Sequence, residues 1–158
     1  MRLKIAALIL TSLVSSSLFA EDHKATEFDQ YLKGKKILND QYKIEDKKQL
    51  NEILKVLSAE DSKTLPLQID QNSLIEQLEL SANQTILKGS ITTPDFNQFE
   101  KDLGKKDIRK TIEKNLLNNC DVLFEHKYQQ VNPYSIAIEL KSDHDKYDFK
   151  VTRKDCGI

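Results

Sequence analysis

Tyr134-Ser135-Ile136-Ala137-Ile138-Glu139-Leu140-Lys141 and Tyr147-Asp148-Phe149-Lys150-Val151-Thr152 are the most regular stretches of the chain. Tyr134, Ile136, Ile138 and Leu140 alternate with polar or small residues, and Tyr147, Phe149 and Val151 do the same after a turn at Ser142-Asp143-His144-Asp145-Lys146. Successive strand side chains point to opposite faces, so this period of two predicts a half-buried β-hairpin with one apolar face. That face must be covered by another layer.

Upstream, the spacing supplies the cover. Ile108, Ile112, Leu116, Cys120 and Leu123 recur every three or four residues and predict one long helix over about 105–124. Thr93-Pro94-Asp95 reads as a helix start with Phe96, Phe99 and Leu103 as its apolar stripe, broken by Gly104. Before it, Leu74 to Leu80 and Thr85 to Ile91 flank Ser81-Ala82-Asn83-Gln84 as a second hairpin, with Leu74, Leu78 and Leu80 on one face. Gly89 marks a bulge or a close packing contact. A helix over about 45–58 carries Leu50, Ile53, Leu54 and Leu57, and Phe28, Tyr31, Leu32 and Leu38 mark a weaker one before it. Residues 58–64 read as a polar linker. The expected fold is α+β: helix, hairpin, helix, hairpin, with the helices on one face of a four-stranded antiparallel sheet.

The chain has 158 residues, a formal net charge of −1 and 31% charged residues. This length fits one domain, and the balanced charge argues against nucleic acid as a partner. Arg2 and Lys4, the apolar run Ile5 to Val14, and Ser15-Ser16-Ser17-Leu18-Phe19-Ala20 have the three-part form of a secretory signal peptide cleaved after Ala20. The expected organisation is therefore a cleaved signal peptide (1–20), a helical segment with a polar linker (21–64) and a ββαββ core (65–158), the last two forming one domain. No later apolar run has membrane-spanning length, so the mature chain is expected to be periplasmic or secreted. In such a compartment Cys120 and Cys156 are most simply a disulfide, closing a loop worth about 4 kcal/mol in the chain-entropy model.

Catalytic chemistry is sparse. There is no GxSxG, no phosphate-binding glycine loop and no CxxC. His23, His126 and His144 are far apart; His126 reads as a cationic residue at the end of the long helix. Asp143-His144-Asp145 reads as turn chemistry rather than as a metal site. Neither a catalytic set, a cofactor nor a metal is expected. Lys101, Lys105, Lys106, Arg109, Lys110 and Lys114 form the densest basic cluster, a candidate contact for an anionic surface, although Asp102, Asp107 and Glu113 dilute it.

Leu65-Pro66-Leu67-Gln68-Ile69-Asp70, a hairpin, a helix bearing Cys120 and an alternating hairpin closing on Asp155-Cys156 resemble a group of small exported bacterial proteins of uncharacterised function. The resemblance covers roughly 65–158 and implies the fold and the cysteine pairing, not an activity. Asn132-Pro133 stands where that group often has glycine. The function expected is non-enzymatic binding of another envelope or secreted protein, of the inhibitor, immunity or accessory kind. The alternative is an apolar small molecule or lipid held between helices and sheet, with Phe96, Phe99, Tyr134, Tyr147 and Phe149 as its candidate lining.

Overall fold

The computed structural model describes residues 24–68 and 72–158. The signal-peptide segment, His23 and Ile69-Asp70 lie outside the described residues. The elements are α1 (Glu27–Gly34), α2 (Lys47–Asp61), β1 (Leu67–Gln68), β2 (Ser73–Ser81), β3 (Gln84–Ile91), α3 (Phe96–Leu103), α4 (Lys105–Leu117), α5 (Cys120–Leu123), α6 (Lys127–Val131), β4 (Ser135–Lys141) and β5 (Lys146–Thr152). Among the described residues, no helix is long and apolar enough to cross a membrane.

Both predicted hairpins form, as β2–β3 and β4–β5. The sheet they build differs from the expectation of four antiparallel strands. It has five strands in the order β1-β2-β3-β4-β5, and β3 pairs with β4 in parallel, Thr85 opposite Ile136 and Leu87 opposite Ile138. The chain leaves the end of β3, runs through α3 to α6 and returns to the start of β4, so β3 and β4 point the same way. A parallel pair needs such a long crossover. Alternation in each strand cannot reveal which hairpin edges meet. The short β1, opposite Ile75 and Leu74, was not foreseen at all.

One sheet face is apolar and covered. Ile136, Ile138, Leu140, Tyr147, Phe149 and Val151 are buried, while Glu139, Lys141, Lys146 and Asp148 share ion pairs on the open face. The inward face of β2 differs from the expectation. A bulge between Ile75 and Gln77 shifts the register, so Ile75, not Leu74, shares a face with Leu78 and Leu80. Gly89 opposes Ile75, and a Cβ at Gly89 would lie 2.2 Å from the Leu74 carbonyl oxygen. The glycine is thus a close-approach residue that lets the bulge form.

α2 begins at Asp46, whose carboxylate accepts from the Gln49 N–H at 2.8 Å, and buries Leu50 and Leu54. It continues to Asp61 and a 3-10 turn at Ser62–Thr64, where a polar linker was expected. Ser58 Oγ accepts from the Leu80 N–H at 2.7 Å and Asn51 Oδ1 from the Ala82 N–H at 2.8 Å, fixing α2 along β2. The long helix expected over 105–124 is broken at Asn118 and Asn119 into α4 and α5. Asparagine competes with the helix by bonding nearby backbone, and Asn119 Nδ2 donates to the Asn115 carbonyl at 2.7 Å.

α1 is tied to the rest by a buried carboxylate. Asp29 accepts from the backbone N–H groups of Lys127 at 2.8 Å and Tyr128 at 3.0 Å, and from the Thr26 N–H and hydroxyl at 2.9 and 2.8 Å. Asn132 joins the loop before α2 to α6: its Oδ1 accepts from the Ile44 N–H, and its Nδ2 donates to the Tyr42 and Tyr128 carbonyls. His126 caps α6 rather than ending a long helix. Its ring stacks on Tyr128, and Nδ1 lies 2.8 Å from Thr26 Oγ1. Cys120 and Cys156 form a disulfide with a Cα–Cα distance of 5.7 Å, joining α5 to the turn after β5.

Asp29→Ala removes the carboxylate that accepts from the part-buried Lys127 N–H and the buried Tyr128 N–H, and urea denaturation should show a loss of about 3 kcal/mol. The double change Cys120→Ser/Cys156→Ser should cost up to about 4 kcal/mol by the same measurement.

Candidate functional site

The helices do not close over the whole sheet. Between the sheet and α3, α4 and α5 lies a groove of about 1070 Å³, slightly above the ~300–1,000 Å³ usual for ligand pockets. Its floor is Ile75, Leu78, Leu87, Ile91, Ile138 and Leu140 from β2, β3 and β4. Its roof is Phe96 and Phe99 from α3, Ile112 and Leu116 from α4, and Val122 and Leu123 from α5. Leu65 and Leu67 close one side.

The helix layer itself leaves this space. α3 has no buried residue and α4 has only Ile108, so their apolar stripes face the gap rather than filling it. Leu67 is 51% exposed, Phe99 48% and Val122 68%. Apolar surface gathered around a concavity marks an interaction site far more often than scattered exposed leucines do.

The rim is polar and unevenly charged. Asp61, Asp95 and Asp102 stand on it with Asn72, Gln98, Asn115 and Asn119. Among the described residues, the lining contains no lysine or arginine. Gln98 Nε2 donates to Asp102 at 2.8 Å.

The roof is fastened to the sheet at two places. At one end, the Tyr147 hydroxyl donates to Glu100, and Lys105 pairs with Asp145 while lying 5.6 Å above the Tyr147 ring. Burial, and then the Glu100 bond, push the Tyr147 phenol above its usual range. The hydrogen bond from Lys105 holds the Asp145 carboxyl below the ordinary aspartate value. Arg109 adds a guanidinium 4.8 Å from the Phe149 ring. At the other end the disulfide holds α5, whose Val122 and Leu123 line the groove.

The structure divides the six-residue basic cluster. Lys105 and Arg109 are engaged against β5, and Lys110 pairs with Asp107 at 3.5 Å. Lys106, Lys110 and Lys114 follow one another at four-residue steps, on the side of α4 away from Ile108 and Ile112. Lys101 lies on α3. The five aromatics divide as well: Phe96 and Phe99 line the groove, whereas Tyr134, Tyr147 and Phe149 are core. Tyr134 spends its hydroxyl on Thr85 Oγ1 at 2.7 Å and its ring on Tyr128 and Phe124. In the 142–146 turn Asp145 is bound to Lys105, and Asp143 accepts from Asn97 at 3.4 Å. Among the described residues, no group of three or more His, Cys, Asp or Glu is arranged to hold a metal ion.

Phe96 and Phe99 stood among the candidate lining residues, and the structure adds Ile112, Leu116, Val122 and Leu123 to the roof. Nothing in the spacing separates a stripe that fills a core from one that borders a void. Ile75 was missed because the bulge that turns it inward leaves no periodic trace.

A neutral apolar dye such as Nile red should bind the groove with enhanced emission. Leu67→Ser/Phe99→Ser should weaken it about tenfold, ~1.4 kcal/mol, and shift stability little because both side chains are half exposed. Unchanged dye affinity would place the dye elsewhere.

No family model and none of the curated proteins matches the chain. Among solved structures, the chain is similar to a candidate secreted protein of Pseudomonas aeruginosa, at 13% identity and a TM-score of 0.44 over 70% of this chain and 95% of that one. It is also similar to the pilotin of the Vibrio vulnificus type 2 secretion system, at 14% identity and a TM-score of 0.37 over 70% of this chain and 94% of that one. Likeness at this level carries no conclusion about what the chain binds.

Proposed function

We propose that this chain is an exported, non-enzymatic protein that binds another protein of the cell envelope by taking an apolar segment of it into the groove. The observation that carries the reading is the groove itself: about 1070 Å³, apolar on floor and roof, and rimmed by exposed Leu67, Phe99 and Val122. Covering such a surface removes apolar area from water at about 25 cal/mol per Å². The disulfide between Cys120 and Cys156 fits an oxidising compartment outside the cytosol.

Two features favour a protein segment over a lipid. The rim amides Gln98, Asn115 and Asn119 present carbonyl oxygens, and Asn115 an NH2 group as well, which suit a peptide's polar flanks. Among the described residues, the lining has no cation to meet a fatty-acid carboxylate or a phosphate headgroup. The size of the groove supports the second reading, a neutral apolar small molecule, and the same experiment separates the two.

A photo-crosslinking residue in place of Phe99 should capture a discrete envelope protein in intact cells, and the same residue in place of Lys110 should not. Leu67→Asp should abolish the adduct. Equal capture at both positions would sink the groove reading. A small apolar molecule recovered by mass spectrometry of the purified protein, with no protein adduct, would replace it with the second.

A further inference from the structure

We infer that the occupant of the groove is an amphipathic α-helix whose apolar stripe is flanked by lysine or arginine. This rests on the proposed groove reading and adds the conformation and charge of the partner segment.

The conformation follows from what the groove offers. Its floor presents the side chains of Ile75, Leu78, Leu87 and Ile91, and these strands already pair with one another through their backbones. An extended segment lying on that floor could not pair with strands whose backbones are already bonded to one another in the plane of the sheet. Its own N–H and C=O groups would leave water without partners, which opposes binding. A helix satisfies its backbone internally and brings only side chains, with anchors at i, i+3, i+4 and i+7.

The charge follows from the rim. Asp61 at the end of α2, Asp95 before α3 and Asp102 within α3 come from separate places in the chain and meet at one opening. All three are exposed, and among the described residues none forms an ion pair. The lysines of α4 sit on the far side: Lys106, Lys110 and Lys114 follow the helical repeat opposite the groove-lining Ile108 and Ile112. A chain of formal net charge −1 thus carries an opening of one sign. Such an opening steers and orients a basic segment and repels an acidic one.

The test uses two labelled synthetic helices, one of Leu and Lys in amphipathic register and the other with Glu in place of every Lys, measured by fluorescence anisotropy against the full mature chain. The Leu–Lys helix should bind roughly tenfold or more tighter, with affinity falling as salt rises. Asp61→Asn/Asp95→Asn/Asp102→Asn should remove most of that preference while leaving Nile red binding intact. Asn is tolerated at position 95, where φ is 58°. Leu67→Ser/Phe99→Ser should weaken both helices. Equal affinities for the two helices, or a Leu–Lys preference that survives the triple change, would overturn the charge inference and leave the groove reading standing. Binding of neither helix, or binding unaffected by Leu67→Ser/Phe99→Ser, would overturn both.

Discussion

The parallel pairing of β3 with β4 is the constraint on which the rest of the molecule depends. Leu87 lies beside Ile138 and Gly89 beside Leu140 at the centre of the sheet. To reach that position the chain must travel back along the whole length of β3, and it does so through four helices on the apolar face. The open face is left to Glu139, Lys141, Lys146 and Asp148, whose mutual ion pairs keep it hydrated. Two hairpins that met edge to edge without this crossover would not place α3, α4 and α5 over the floor of the groove.

The same crossover explains why a groove exists. α2 is fixed along β2 by Ser58 and Asn51, and α6 is fixed by Asp29 and Asn132. Among the described residues, α3 and α4 have no comparable set of buried polar ties. They are attached at their borders, by Lys105, Glu100 and Arg109 against β5 and by the disulfide through α5. Fastened at two ends, the roof spans the sheet without settling on it. The disulfide therefore contributes to the shape of the site as well as to stability.

Much of the local structure is legible in the residues. The period of two in 134–141 and 147–152 and the helical stripe through Leu50 and Leu54 were enough to place both features, because each local pattern agrees with its burial. The failures have physical causes too. The helix break at Asn118-Asn119 depends on a side-chain bond to Asn115, and the inward turn of Ile75 depends on a bulge that only glycine at position 89 permits. The basic cluster was a one-dimensional density. Folding sends Lys105 and Arg109 to the sheet and Lys106, Lys110 and Lys114 to the opposite side of α4.

By itself the sequence determined the two hairpins, the helical stripe through Leu50 and Leu54, the sheet's single apolar face and the pairing of two cysteines in a chain carrying a signal-peptide pattern, because these follow from local periodicity and from residue chemistry. Only the tertiary structure decided which hairpin edges meet, whether Ile112 and Leu116 fill a core or border a void, and that Asp61, Asp95 and Asp102 share one rim. Those outcomes depend on how far one layer settles onto another, which is a sum over contacts distant in the chain and leaves no mark in any short window of it.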